Sequence, residues 1–217
     1  MKRIISFILV TLLTVMSAFA NIAEGVSGDC KWDIDDDGNL TISSESDDDI
    51  ADLGTWAGDS APWSNYRDSI TTVVFSSPVN AKTCAYMFKG CSNLNAVYLD
   101  NFYTNEVTDM SFMFAGCTSL EVIEFDMAMS AQDEMFNQSR DNFLTGSVTN
   151  MASMFEGCKS LHSFYLQNLD IHSVTNFSDM FAGCSSLENM NLTVNKNANS
   201  SSLTAINDIE NDIDDIE

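Results

Sequence analysis

An α/β solenoid, its short parallel strands stacked in one sheet behind a β-rich N-terminal cap, is the fold this chain predicts. Repetition is the reason. The block Met-Phe-x-Gly-Cys occurs at Met87–Cys91, Met113–Cys117, Met154–Cys158 and Met180–Cys184. Its cysteines lie 26, 41 and 26 residues apart, a period of 26 with one insertion of 15. Each block is followed by a leucine that opens the same apolar register. A unit this short cannot bury its own apolar side and has to stack on its neighbours.

Residues 1–20 predict a signal peptide. Lys2 and Arg3 precede an apolar run from Ile4 to Val15, and Ala18-Phe19-Ala20 gives a small-x-small site, so cleavage is expected after Ala20. The run is short for a bilayer span, and no later segment is apolar enough to cross one. The chain is therefore expected to be secreted or held at the cell surface, without stable membrane insertion after cleavage.

Residues 21–68 predict the cap. Trp32, Ile34, Leu40 and Ile42 alternate around Asp37-Gly38, the pattern of a β-hairpin. The same stretch, Asp33-x-Asp35-x-Asp37-Gly38-x-Leu40, resembles the start of a calcium loop. Its twelfth position is Ser44 rather than glutamate, with Glu45 one place late. Asp33, Asp35 and Asp37 thus stand as weak calcium candidates beside the hairpin reading. No cofactor is expected.

Residues 69–194 predict the repeat array. The strand register Leu-x-x-apolar-x-apolar reads Leu94, Val97, Leu99; Leu120, Ile123, Phe125; Leu161, Phe164, Leu166; and Leu187, Met190, Leu192. Ile70, Val73 and Phe75 fit it one unit earlier. This is leucine-rich-repeat spacing. Between strands, Val107, Met110, Met113 and Phe114 recur as Val148, Met151, Met154, Phe155 and as Val174, Phe177, Met180, Phe181. Steps of three and four predict one or two helical turns facing inward, closed by Gly90, Gly116, Gly157 and Gly183. Cys91, Cys117, Cys158 and Cys184 share one position and predict a ladder of small buried thiols, because stacked side chains run parallel instead of pointing at each other. Cys84 also points inward. A bridge from it to Cys30, the cysteine outside the repeats, would tie cap to array.

Residues 195–217 begin as a polar linker. Leu203, Ile206, Ile209, Ile213 and Ile216 then recur at helical steps in an acidic context. This end reads as an amphipathic helix capping the last unit or as an unstructured acidic tail.

Val148-Thr-Asn-Met-Ala-Ser-Met-Phe-Glu-Gly-Cys-Lys-Ser-Leu161 resembles the 26-residue bacterial surface-protein repeat of the BspA-like leucine-rich-repeat family. Trp32-x-Ile34, the Asp37–Ile42 stretch and Ala61-Pro62-Trp63-Ser64 resemble the β-rich cap that precedes such repeats. The resemblance implies a secreted or surface-exposed protein, in several cases linked to adhesion, with no catalytic residues to carry over.

Charge narrows the partners. The formal net charge is −23, with 9 basic residues against 32 acidic ones. Loss of Lys2 and Arg3 would take it to −25. Such a surface repels phosphate backbones, so nucleic acid is not an expected partner. With two histidines, His162 and His172, both at positions read as surface, hydrolytic or His-rich metal chemistry has little material.

Two regions are candidates for contact. Between inward strand residues, one outward column reads Val74, Tyr98, Glu124, Tyr165, Asn191. Tyrosines beside acids suit a recognition face, although β-propensity alone would also put tyrosines there. The insertion, about residues 127–146, carries Met135, Phe136, Phe143 and Leu144; insertions in repeat arrays emerge as loops, often on the binding side, and the alternative is a short helix or flap packed on the solenoid. The expectation is a monomeric, non-enzymatic protein that recognises an extracellular host or bacterial protein or glycan. The alternatives are an acidic structural surface component and a weak calcium-dependent binder.

Overall fold

The computed structural model describes residues 21–45, 50–124, 143–165 and 170–191. Residues 1–20, expected to be a signal peptide, Phe125, Leu166 and Leu192 of the strand register, Met135, Phe136 and the 195–217 tail lie outside them. Within the described residues the fold is β-rich. The cap contributes strands β1 (Ala23–Ser27), β2 (Cys30–Ile34) and β3 (Asn39–Ser44). The hairpin read around Asp37-Gly38 is present: β2 and β3 pair antiparallel, with Trp32 opposite Ile42 and Ile34 opposite Leu40.

After β4 (Ala51–Asp52) and a 3-10 helix at Ser64–Ser69, the chain runs through β5 (Thr72–Phe75), β6 (Val79–Asn80), β7 (Ala96–Tyr98), β8 (Phe102–Tyr103), β9 (Val122–Glu124), β10 (Ser163–Tyr165) and β11 (Asn189–Asn191). A six-stranded sheet runs β1-β2-β3-β5-β7-β9. From β3 onward its strands are parallel, with Leu40, Val73, Val97 and Ile123 in one row. The inner residues of the register, Val73, Phe75, Leu94, Val97, Leu99 and Leu120, are buried, each worth roughly 1.5–3 kcal/mol before ordering entropy is subtracted.

Two expectations change. Among the described residues the single sheet becomes three: β10-β11 form their own parallel pair, and β4-β6-β8 form a second parallel ladder beside the main sheet. That ladder buries Ala51, Val79 and Phe102, with Phe102 stacked on Phe75 at 4.2 Å. Its strands are two residues long, too short to show alternation in a sequence.

The second change replaces the α part of the α/β expectation. The described residues contain no α-helix, and the inward turns are a different structure. Tyr86, Phe112, Ser153 and Asp179 have φ between 54° and 60°, which interrupts any helix. Around them alternate backbone N–H groups point in different directions. Those of Met87, Lys89 and Cys91 close local turns onto Cys84, Tyr86 and Phe88. Those of Cys84, Tyr86, Phe88 and Gly90 instead donate to Asp109, Ser111, Met113 and Ala115 of the next unit, at 2.7–3.1 Å. The same four bonds recur from Met110, Phe112, Phe114 and Gly116, and again from Met151, Ser153, Phe155 and Gly157. Inward side chains still recur at three and four, which is why the pattern reads as helical.

Side chains reinforce this ladder. The rings of Trp63, Phe88, Phe114, Phe155 and Phe181 stack in series at 5.8, 5.6, 5.5 and 5.5 Å. Trp63 starts the series from the cap, and its Nε1–H donates to the Met87 carbonyl at 2.8 Å. The thiols of Cys117, Cys158 and Cys184 donate to the carbonyls of Phe88, Phe114 and Phe155, one unit back, at 3.1–3.2 Å. All six cysteines are buried and free, so Cys30 and Cys84 are not bridged. Burial, aided by Asp29, Asp52 and Glu45, pushes the Cys30 thiol up to about 12. Burial likewise takes Cys91 to about 12 and raises Cys84, Cys117 and Cys158.

Candidate recognition surface

The outward side of the six-stranded sheet follows from its register. Inward residues of β5 and β7 alternate with half-buried ones, so Thr72, Val74, Ala96 and Tyr98 face away from the core. Pairing sets Val74 beside Tyr98 and Tyr98 beside Glu124. Tyr165 and Asn191 are neighbours in the β10-β11 pair. The column read from the sequence therefore divides into Val74-Tyr98-Glu124 and Tyr165-Asn191, on separate sheets.

Toward the N-terminus the first column is longer than the repeats indicate. Thr41 lies beside Val74, Asp33 beside Thr41 and Glu24 beside Asp33. Cap and array thus share one outward face, along which the strand register runs Glu24-Asp33-Thr41-Val74-Tyr98-Glu124. Burial raises the Asp33 pKa, Asp35 and Glu24 raise it further, and Lys31 opposes them. Cross-strand like charges of this kind disfavour the ionised pair. Glu24 and β3 were legible as residues; only the parallel β3-β5 pairing joins them to the face.

Of the calcium candidates, Asp35 and Asp37 lie in the β2-β3 hairpin turn and Asp33 in β2. Asp35 Oδ1 accepts from the backbone N–H groups of Asp37 and Asn39 at 3.0 and 2.9 Å, and Oδ2 accepts from Asn39 Nδ2 at 2.8 Å. Burial would raise the Asp35 pKa, but these bonds and that from Gly38 outweigh it and hold the carboxyl below its ordinary range. Its oxygens stabilise the turn, with Asp33 on the sheet. Among the described residues no group of three His, Cys, Asp or Glu side chains is arranged to hold a metal ion.

The end of the insertion belongs to the scaffold. Phe143 packs on the core, tilted against Phe102 at 6.3 Å, instead of projecting outward. Thr145 is buried and donates to the Asp170 carbonyl at 2.9 Å, while Thr104 donates to the Leu144 carbonyl at 2.7 Å. Residues 143–146 therefore rejoin the array, while 127–142 lie outside the described residues.

His162 and His172 are exposed, as expected. His172 nevertheless joins a relay that the sequence did not suggest: Asp170 Oδ1 lies 2.6 Å from Nδ1, and Ser173 Oγ lies 2.9 Å from Nε2. Burial would raise the Asp170 pKa, but hydrogen bonds from His172 lower it overall. The distances are those of a hydrolytic triad, yet the Asp170 and His172 side chains are 51% and 50% exposed. In water, developing charge finds none of the fixed low-dielectric stabilisation that catalysis requires. The three residues clasp a connecting loop.

A third group was missed although its signal was present. Asp109 Oδ1, Asn150 Oδ1 and Asn176 Oδ1 accept the N–H two residues on, from Ser111, Ala152 and Ser178. Thr83 does the same for Ala85. Val-Thr-Asp/Asn recurs in the sequence because this side chain sets up the turn that carries the residue of positive φ three places later.

Fold and surface together define a β-rich repeat protein that holds an open strand face over a hydrogen-bonded ladder of turns. The profile of the family described as "Mycoplasma protein of unknown function, DUF285" matches residues 77–189 and 121–215, more than half of the chain. The chain belongs to that family. It is also similar to the crystal structure of a leucine-rich repeat protein from Eubacterium ventriosum, at 19% identity and a TM-score of 0.46, over 82% of this chain and 45% of that one. A leucine rich cell surface protein from Faecalibacterium prausnitzii is similar at 15% identity and a TM-score of 0.27, over 77% of this chain and 54% of that one. The chain spans about half the length of these solved structures. No curated protein matches it.

Proposed function

We propose that the chain is a non-enzymatic leucine-rich-repeat solenoid of BspA-like type, exported by a signal peptide at residues 1–20, that recognises an extracellular protein or glycan. The observation that carries this reading is the register that continues one outward face from the cap to β9, with Tyr98 between Val74 and Glu124. A sheet face offering a tyrosine among hydroxyls and acids gives contact area at low entropic cost. The domain scheme that goes with it is a cap over 21–68, an array over 69–194 and a tail over 195–217, with Met135 and Phe136 of the insertion as further contacts.

An array of extracellular proteins and glycans, probed with the purified protein, with Tyr98→Ser and with a deletion of 127–142, tests the reading. Saturable binding that either change weakens at least fivefold, with melting unaltered, is expected. The second reading, an acidic structural surface component, is favoured by the net charge of −23. Its signature is the absence of any saturable binding on the same array.

A further inference from the structure

The first strand of the cap ends the main sheet with one side free. β1 pairs with β2 alone, and among the described residues no strand lies along its other edge. A two-residue turn, Gly28-Asp29, joins the two strands. In such a hairpin the pair closing the turn, Ser27 and Cys30, exchanges both main-chain bonds, as does every second pair beyond it. The N–H and C=O groups of Glu24 and Val26 therefore point away from β2. Glu24 is exposed, and Val26 is 61% exposed. Gly25 between them has only main chain to show and is half-buried. The strand holds neither proline nor lysine, the residues that most often close an edge. Its start is held in place, because the Ile22 N–H donates to the Ile34 carbonyl at 2.7 Å.

On its inner side this edge has an unmet donor. Trp32, opposite Gly25, is 6% exposed, and its Nε1–H has no hydrogen-bond partner. A Cβ on Gly25 would lie 2.6, 2.8 and 2.9 Å from Cζ2, Cε2 and Nε1 of that indole. The ring edge carrying the N–H thus reaches from β2 across β1, toward the free side. Buried donors are rarely left unpaired. A strand added beside β1 turns the side chain opposite Gly25 inward, where a hydroxyl or amide oxygen becomes an acceptor next to that N–H.

On the outer side charge selects the strand. Glu24 lies beside Asp33, whose pKa is raised by burial and then by Asp35 and Glu24. Val26 lies beside Lys31. A basic residue opposite Glu24 relieves the repulsion between the two acids, and an apolar one opposite Val26 covers an exposed side chain. A second copy of the chain fits poorly. Two β1 edges paired together would bring their Glu24 carboxylates close, on molecules that each carry a net charge of −23.

We propose that the free edge of β1 takes up an extended segment of a partner protein, with a basic residue opposite Glu24 and an apolar one opposite Val26, as a seventh strand of the sheet. Main-chain bonds give the affinity, and the two outward side chains give the selectivity.

The test titrates the purified protein, at physiological ionic strength, with a labelled peptide, Thr-Arg-Thr-Val-Thr-Arg-Thr. Its sequence reads the same in both directions and so serves either strand orientation. N-methylation of one alternate set of its amides is expected to abolish binding, and of the other set to change it less than about twofold, because a strand pairs through one edge. Glu24→Lys is expected to weaken binding of this peptide about tenfold and to strengthen that of its glutamate counterpart. Glu156→Lys, an equal change of charge on the turn side, is expected to stay within about twofold. The proposal is overturned if both methylated peptides bind, if both fail, if Glu24→Lys does not shift the two peptides in opposite directions, or if the turn-side variant loses as much. It is also overturned if the protein alone forms a dimer that the peptide dissociates, since the edge then serves a second copy. None of these changes touches Tyr98 or residues 127–142, so this proposal and the reading of the strand face fail separately.

Discussion

The strand side and the turn side of the array respond differently to the same insertion. On the strand side the main sheet ends at β9, and β10-β11 form a separate pair. On the turn side, Met110, Phe112, Phe114 and Gly116 donate to Asn150, Ala152, Met154 and Glu156 with the bonds used between units without an insertion. Ring spacing is equally unaffected, 5.6 Å before the step and 5.5 Å across it. Across the insertion, which follows β9 in the chain, continuity passes through the turns. Loops tolerate length far more cheaply than a packed ladder tolerates displacement.

The comparison breaks most readily at Phe114, which has a ring on each side. Phe114→Ala is expected to cost about 3–5 kcal/mol in denaturant unfolding. A loss below about 1 kcal/mol would mean the stack does not join the units. Tyr98→Ser, on the outward strand face, is expected to change stability by no more than about 0.5 kcal/mol, which sharpens the contrast. Next in size is Gly157→Ala. Its φ of 72° disfavours a side chain, and a Cβ would meet Gly116 at 3.8 Å, ordinary contact, so backbone strain of about 1–2 kcal/mol is expected. Cys158→Ala removes one thiol donor and should cost about 1 kcal/mol, with Cys158→Ser recovering part of it if the S–H···O bond is what matters. The raised thiol pKa values predict that a disulfide reagent labels the native protein slowly near neutral pH and the denatured protein at once. Fast native labelling would show that the array opens.

The smallest effects concern pH and belong to the cap. Asp33 has a raised pKa, so the stability it contributes is present below the ordinary aspartate range and is lost as pH rises through its folded value. Asp33→Asn should therefore melt higher than the parent at pH 7 and lose that advantage in acid. Asp35 has a lowered pKa, so its contribution holds above the ordinary range and disappears as pH falls through the folded value. Asp35→Ala should melt lower than the parent at pH 7, with the gap closing in acid. The opposite order for the two variants would reassign the turn.

How legible this was in the sequence depended on what each residue reports. Val73, Val97 and Ile123 announce the inner register because burial leaves a period-two imprint, and Trp32 to Ile42 announce the hairpin in the same way. The turns misled because Met110, Met113 and Phe114 have the spacing of a helical stripe whether or not a helix forms. The residue that breaks the helix is Phe112 in one unit and Ser153 in the next, and neither signals positive φ. Asp109, Asn150 and Asn176 did signal it, through their power to close a turn on their own backbone. The contact column was legible as far as alternation reaches; its extension to Asp33 and Glu24 and its division after Glu124 depend on pairing partners, which no single strand encodes. Phe143 misled in the other direction, since an aromatic residue in an insertion looks available for binding until its packing on Phe102 is known.

The direction of the ladder bonds has a consequence for how such a chain can change size. Each of the first three turns offers four amide hydrogens to its successor, and each of the last three presents four oxygens to its predecessor. A duplicated module spliced between any two would find both sets of complements already waiting. Lengthening or shortening by whole modules is therefore an edit the architecture accepts, while the Trp63 end and the last turn stay as they are.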